Sequence, residues 1–357
     1  MTGLAFSRLC LVACLTSLSV QAERPTTQYL LPQTDSPTVT REVSLMTTRV
    51  VFSIVLPNFR SSSDTAANSL EAEANNAMDT AIAEFQRIEA VMSEWQPDSD
   101  VSRINQQAGK ASVAISNELY RLLVAAQRVS ELSNGAFDIT FRSAGKLWNF
   151  RKAKVPSQGQ IQQAIQHIDY RHLTLSPQTS VQPAQAYITN PNTRIGLGAI
   201  AKGYAVDRAA QLFRQAGFNA FSINAGGDVY VAGQRNMRLW KIGIQHPREP
   251  DKLIANLPAS NLAVATSGDY ERFFIHNGVR YNHIINPHTG YPANSCQSVT
   301  IIAERAFWAD ALATAVYVLG PQQGLALIEG MDGVETLIVD DQGKPLMSSG
   351  FKKHTVN

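Results

Sequence analysis

Arg194-Ile195-Gly196-Leu197-Gly198-Ala199-Ile200-Ala201-Lys202-Gly203-Tyr204-Ala205-Val206-Asp207 joins a glycine-rich turn to an amphipathic helical pattern and sets Lys202 at the junction. Glycines let backbone N–H groups approach an anion. The first turn of a helix leaves donors unpaired, and the helix dipole favours negative charge there. The stretch therefore reads as a phosphate holder, with Lys202 adding a point charge. Gly196, Gly198 and Ala201 also satisfy the G-x-G-x-x-G/A spacing of dinucleotide-binding folds, which would make the chain a nicotinamide-dependent oxidoreductase. That motif wants an acid about 20 positions on, at the end of the next strand. Here the strand-like run 220–224 ends instead in a second glycine turn, Gly226-Gly227-Asp228. A Walker A loop needs Gly-Lys-Ser/Thr, and Lys202-Gly203-Tyr204 runs in the opposite order. The plain structural alternative is a tight turn packing a helix against a sheet.

Working outward, 50–56 reads as a β-branched strand and 66–92 as a long helix, with Ala77, Ile82, Phe85, Ile88 and Val91 at helical spacing. A second helix is expected over 119–133, stopped by Asn134-Gly135, and a short one over 161–168. Residues 194–197 read as a strand feeding the turn, 204–215 as the helix after it, and strands dominate from 220 to 302. Helices over 308–319 and 321–331 precede a terminal hairpin turning at Asp341-Gln342-Gly343. The 357 residues have room for one large or two ordinary domains, and 44% hydrophobic residues suffice for a core. A formal charge of +2 without a basic run interleaved with aromatics argues against nucleic acid.

The co-occurrence of further clusters is more specific than the first motif. They are Met46-Thr47-Thr48, Ser93 and Trp95 with Ser99 and Asn105, Phe137-Asp138-Ile139-Thr140, Asn224-Ala225-Gly226-Gly227-Asp228, and Ala265-Thr266-Ser267-Gly268-Asp269-Tyr270. His283 with Pro287, Thr289 and Gly290, and Ala309-Asp310-Ala311-Leu312-Ala313-Thr314, complete the series. In this order they resemble the ApbE family of FAD:protein FMN transferases, over about 46–320. The resemblance implies an α/β (α+β) fold of two interlocked subdomains with mixed sheets and a cleft active site. It also implies a reaction in which a divalent cation helps split the FAD pyrophosphate. FMN is then attached to a Thr or Ser hydroxyl of an exported or membrane redox protein, and AMP is released. Some relatives mainly hydrolyse FAD or mainly hold it, which is the alternative function.

The resemblance assigns Met46, Trp95, Asp138, Gly198, Lys202, Gly226, Gly227, Thr266, Ser267, Gly268 and Thr289 to FAD binding. Thr266, Ser267 and Gly268 are expected to form a donor-rich loop. Asp310 and Thr314, at i and i+4 on one helix face, suit Mg²⁺ or Mn²⁺ with oxygen ligands. The resemblance adds the Ala199 carbonyl as a third ligand. A Thr hydroxyl needs a base to attack phosphorus, and His283 and Asp228 are the candidates. Thr47 and Gly196 depart from the family pattern, which has Gly and Asp there, and Asn286 replaces a common Asp.

Residues 1–22 carry one charge, Arg8, and an apolar run ending in Val20-Gln21-Ala22, which reads as a signal peptide for the periplasm. Cys14 closes a Leu-Val-Ala-Cys box, the mark of an alternative inner-membrane lipoprotein. Residues 23–40, rich in Thr, Pro, Gln and Ser, read as a spacer, and 41–357 as the flavin transferase domain. Beyond the leader, Cys296 stands alone and is expected to be a small buried residue.

Overall fold

A computed structural model describes residues 37–56 and 64–355. The leader, Cys14 and almost all of the spacer lie outside the described residues. The chain opens with β1 (Thr38–Leu45), β2 (Thr48–Val55) and the long helix α1 (Asp64–Met92). The first strand thus starts inside the expected spacer, because Thr38, Val39 and Thr40 pair with Val55, Ile54 and Ser53. Then follow α2 (Asp100–Gln106), β3 (Val113–Ile115), α3 (Asn117–Leu132), α4 (Arg142–Gly145), α5 (Gln158–Ile165), β4 (Leu173–Ser176) and β5 (Ala184–Ile188). After the quoted stretch come α6 (Ala201–Gln215), β6 (Phe221–Ala225), β7 (Asp228–Ala232), β8 (Trp240–Gln245), β9 (Leu253–Ala259) and β10 (Leu262–Gly268). The chain closes with β11 (Phe273–His276), β12 (Val279–Asn282), β13 (Cys296–Ala303), α7 (Ala306–Leu319), α8 (Pro321–Glu329), β14 (Glu335–Asp340) and β15 (Pro345–Met347).

Eight strands form the main sheet in the order β1-β2-β6-β7-β10-β13-β14-β15. Side chains alternate across it. Tyr230, Ala232, Ala263, Ala265, Ile301 and Ile338 join the core that holds α1, α6 and α7, while Val229, Val231, Val264, Ile302 and Leu337 meet Trp240, Ile242 and Leu257 of the β8–β9 ribbon. A small sheet, β3-β5-β4, lies in the segment between α1 and α6. Its Val113, Ile115, Ala184 and Ile188 belong to the same core as the helices, so the two sheet regions share one apolar interior.

Every ladder among the described strands is antiparallel, an α+β arrangement where mixed sheets were expected. Strands joined by two-residue turns, such as Ala225↔Asp228 across Gly226-Gly227, can pair no other way. Residues 194–197 form no strand. Instead, Asn105 holds Ile195 by both side-chain amide groups, donating to its carbonyl at 2.9 Å and accepting from its N–H at 2.8 Å, and Gly196 N–H donates to Ile139 O. With no feeding strand and no parallel ladder, the dinucleotide-binding reading of Gly196, Gly198 and Ala201 fails.

Candidate active site

The helix α6 begins three residues earlier than its apolar pattern suggested, at Ala201, and so brings Lys202 into its first turn. No side chain caps it at Ile200. Two of its early donors are nevertheless spent inside the protein. Ala201 N–H goes to Leu197 O, and Gly203 N–H donates to Asp310 Oδ2 at 3.1 Å. The second contact exists because α6 and α7 cross closely at Gly203, where a Cβ would lie 2.3 Å from Ala306 O. Asp207, one turn on, caps α7 by accepting from Ala306 N–H at 2.8 Å and Phe307 N–H at 3.2 Å.

This crossing assembles a charge cluster. Lys202 Nζ bonds Asp228 at the start of β7 and lies 3.5 Å from Asp310 Oδ1. Burial opposes the Lys202 charge, but the two carboxylates outweigh it and hold its pKa above the ordinary lysine value. Burial first, then the neighbouring Asp310 charge, pushes Asp228 up to about 7 against the pull of Lys202. Lys202 is therefore not a bare cation awaiting phosphate, as the sequence suggested, but is shared between two acids. Thr314 lies one turn beyond Asp310, and its hydroxyl is 3.4 Å from Ser267 Oγ.

The donor set fits a hard cation. Asp310 holds one carboxylate oxygen by a backbone N–H and leaves the other toward Lys202, and one helical turn on the Thr314 hydroxyl meets that of Ser267. Among the described residues no group of three or more His, Cys, Asp or Glu gathers at one place.

Thr266, Ser267 and Gly268 lie in strand β10 rather than in a loop. Neighbours on a strand point to opposite faces, so Ser267 turns toward α7 while Thr266 shares the other face with Val264 and pairs its hydroxyl with Thr300 at 2.8 Å. Thr266 is thus separated from the Ser267 and Thr314 hydroxyls. Asp138 spends hydrogen bonds inside the protein. Its buried carboxylate accepts from Thr140 N–H and Oγ1–H at 2.7 and 2.6 Å and from Tyr170 N–H at 2.8 Å, which makes it an internal cap. Burial still pushes its pKa up to about 6.

Gly198 is exposed, with open space where a Cβ would point, and Gly226 and Gly227 form the β6–β7 turn at φ 61° and 103°. Met46 and Thr47 make the facing β1–β2 turn at φ 48° and 61°. Thr48 fills the place of any side chain at Gly226, whose Cβ would lie 2.0 Å from the Thr48 hydroxyl. Thr289 sits in a turn closed by Gly290 N–H to Asn286 O, with Trp148 Nε1–H donating to Gly290 O at 2.9 Å. It lines a pocket of about 420 Å³ with Tyr281, Asn286 and Tyr291, which none of Lys202, Asp228, Asp310 or Thr314 reaches. Cys296 is buried at the start of β13, as expected, and burial pushes its thiol up to about 12.

His283 follows β12, its N–H donating to Arg272 O. Its Nδ1 is buried without a partner, and burial, then the charges of Arg272 and Lys202, lower its pKa to about 4. The ring is neutral at physiological pH and can accept a proton. Glu271 escaped the sequence reading. Its Oε1 is also buried without a partner, and burial pushes the carboxyl up to about 8 although Lys202 pulls it down. The only signal was its place directly after Asp269-Tyr270. Glu94 and Arg142 were missed too, although Glu94 stands between Ser93 and Trp95.

The model of the ApbE family matches residues 46–338. The chain is similar to the FAD:protein FMN transferase of Treponema pallidum, 35% identical over 294 residues that cover 78% of this chain and 81% of the relative. It is also similar to the enzyme of that name from Vibrio cholerae, 32% identical over 270 residues, covering 73% and 79%. Among solved structures, the ApbE protein of Thermotoga maritima superposes with a TM-score of 0.77 at 33% identity, covering 90% of this chain and all of that one. The Vibrio cholerae flavin transferase ApbE gives 0.75 at 27%, with the same coverage. The matched span contains Lys202, Asp228, His283, Asp310 and Thr314 together, and the chain belongs to the ApbE family.

Proposed function

We propose that this chain is an FAD:protein FMN transferase that splits the FAD pyrophosphate and passes FMN to a Thr or Ser hydroxyl of a partner protein, releasing AMP. The observation that carries this reading is the Lys202–Asp228–Asp310 cluster at the uncapped start of α6, beside the exposed Gly198. Phosphoryl transfer asks the protein for charge neutralisation and in-line positioning more than for covalent help. Asp310, Thr314 and the Ala199 carbonyl would hold Mg²⁺ or Mn²⁺, which supplies charge neutralisation to the pyrophosphate when bound. Lys202, held by Asp228 in the first turn of α6, would add its charge to a phosphate oxygen.

His283 is the group suited to take the proton of the acceptor hydroxyl, since its neutral ring has a free Nδ1. Asp228 orients Lys202. The antiparallel β6–β7 and β1–β2 turns bring Gly226, Gly227 and Met46 to one rim, where backbone can approach a flavin or ribityl chain. The reading of residues 1–22 as a leader supports a periplasmic enzyme with an exported or membrane redox partner. Cell fractionation and sequencing of the mature N-terminus would distinguish this from a lipoprotein at Cys14.

The test is to incubate the protein with FAD, Mg²⁺ and an exported acceptor and to look for covalent flavin fluorescence on the acceptor in a denaturing gel, beside Asp310→Ala. A metal-dependent band absent from the variant is expected. Free FMN and AMP with no band on any acceptor would replace the transferase by an FAD pyrophosphatase, and no FAD turnover would leave a flavin-binding protein.

A further inference from the structure

Trp95 is 73% exposed, yet one face of its ring is covered: the Arg142 guanidinium lies 4.0 Å from the ring centroid. Arg142 is the first residue of α4 and is itself mostly buried, at 14% side-chain exposure, against Glu94 at 12%, with 3.6 Å between Nε and Oε1. Burial raises the Glu94 pKa and lowers that of Arg142, and the charge of each partner pulls against the other's shift. The opposite flank is closed by Gly196. A Cβ there would lie 3.2 Å from Glu94 Oε1 and 3.4 Å from Arg142 Cβ. The glycine that departs from the family pattern therefore has a local reason, since Glu94 and Arg142 occupy the space of its missing side chain. Ser99 closes the Trp95 loop by donating to Ser93 O at 2.6 Å, and Asn105 fastens the helix after it to Ile195. The stacked indole is thus tied to the segment that leads directly to Gly198 and Lys202.

We propose that Arg142, oriented by Glu94 and given room by Gly196, is a positioning residue that fixes Trp95 as a flat platform whose open face stacks on a planar ring of FAD. This rests on the reading of the site as an FAD site. A guanidinium over one indole face holds the ring in a single orientation, so the ordering entropy is spent before the ligand arrives.

The test measures the Kd for FAD by flavin fluorescence, together with kcat and KM for transfer. Arg142→Met and Trp95→Ala should each raise Kd roughly tenfold while kcat stays within about twofold. The double variant should be no weaker than Trp95→Ala, because Arg142 acts through that ring. Arg142→Lys, which keeps the cation, should recover part of the loss, and Gly196→Ala should weaken FAD by crowding Glu94. Iodide quenching of tryptophan emission checks the folded protein directly, since Trp95 should become more accessible in Arg142→Met. An unchanged Kd in Arg142→Met, or losses that multiply in the double variant, would overturn the proposal. Failure of the unaltered protein to bind FAD would defeat the site reading itself, whereas FAD binding indifferent to Trp95 and Arg142 would defeat only the platform.

Discussion

Gly203 donates its backbone N–H to Asp310 Oδ2 at 3.1 Å, across the closest approach of α6 and α7. One bond thereby joins the first turn of α6 to α7, and it requires a glycine, because a Cβ would meet Ala306 O at 2.3 Å. Gly203→Ala is expected to push the helices apart and cost about 1–3 kcal/mol of stability. It should reduce transfer further by moving Asp310 on α7 away from Lys202 on α6. Denaturant unfolding and the flavin gel assay measure the two effects on one preparation; retention of full activity would show that the crossing does not set the site.

Asp310→Ala should leave a folded protein that has lost transfer by roughly a hundredfold or more, the scale of removing one preorganised charge-stabilising group. Lys202 then pairs with Asp228 alone. Titration with Mg²⁺ separates the roles: a variant rescued by excess metal has lost affinity, and one that is not has lost geometry.

His283 gives a pH prediction. Its folded pKa, lowered to about 4, lies below the ordinary histidine value of 6.5. The unfolded chain therefore binds a proton first, and the stability contributed by the neutral ring is present above about 6.5 and lost as pH falls through about 4. Transfer should likewise keep its base until the acid limb near 4 rather than near 6.5. His283→Gln should abolish that limb and lower turnover across the range; a pH–rate profile with its acid limb unchanged would assign the base elsewhere.

Asp138→Asn distinguishes a cap from a ligand contact. The amide keeps one acceptor oxygen but turns an NH₂ toward one of the donors, Tyr170 N–H or the Thr140 pair. A loss of about 1–3 kcal/mol is expected, with an unchanged Kd for FAD. Urea unfolding beside a fluorescence titration reads both.

Thr47 sits at φ 61°, a backbone conformation costly for a β-branched residue. Thr47→Gly should stabilise the β1–β2 turn by up to about 1 kcal/mol. Gly226→Ala should do the reverse, since its Cβ would lie 2.0 Å from the Thr48 hydroxyl. Thermal unfolding of the two variants tests the sign of each.

The local elements and the candidate residues were legible in the linear chain. Helical spacing marked α1, α3 and α7, Asn134-Gly135 marked the stop of α3, and the ordered motifs named Lys202, Asp228, His283, Asp310 and Thr314 as partners before any contact was visible. Those signals are local, or repeat a pattern shared by relatives. What tertiary structure decided was where each donor is spent. The sequence shows a lysine beside a glycine turn, but only the α6–α7 crossing gives it two carboxylates and gives Gly203 N–H to Asp310. It shows Thr266-Ser267-Gly268 as a polar run, but strand β10 sends neighbouring side chains to opposite faces and keeps only Ser267 with Thr314. It shows Asp138 within a motif, but Tyr170, 32 positions away, donates to its second carboxylate oxygen. Glu94, Arg142 and Glu271 carry no spacing that betrays them, because their roles arise from burial beside residues distant in the chain. Periodicity reports which face is apolar; it cannot report which polar groups the packed chain leaves without water.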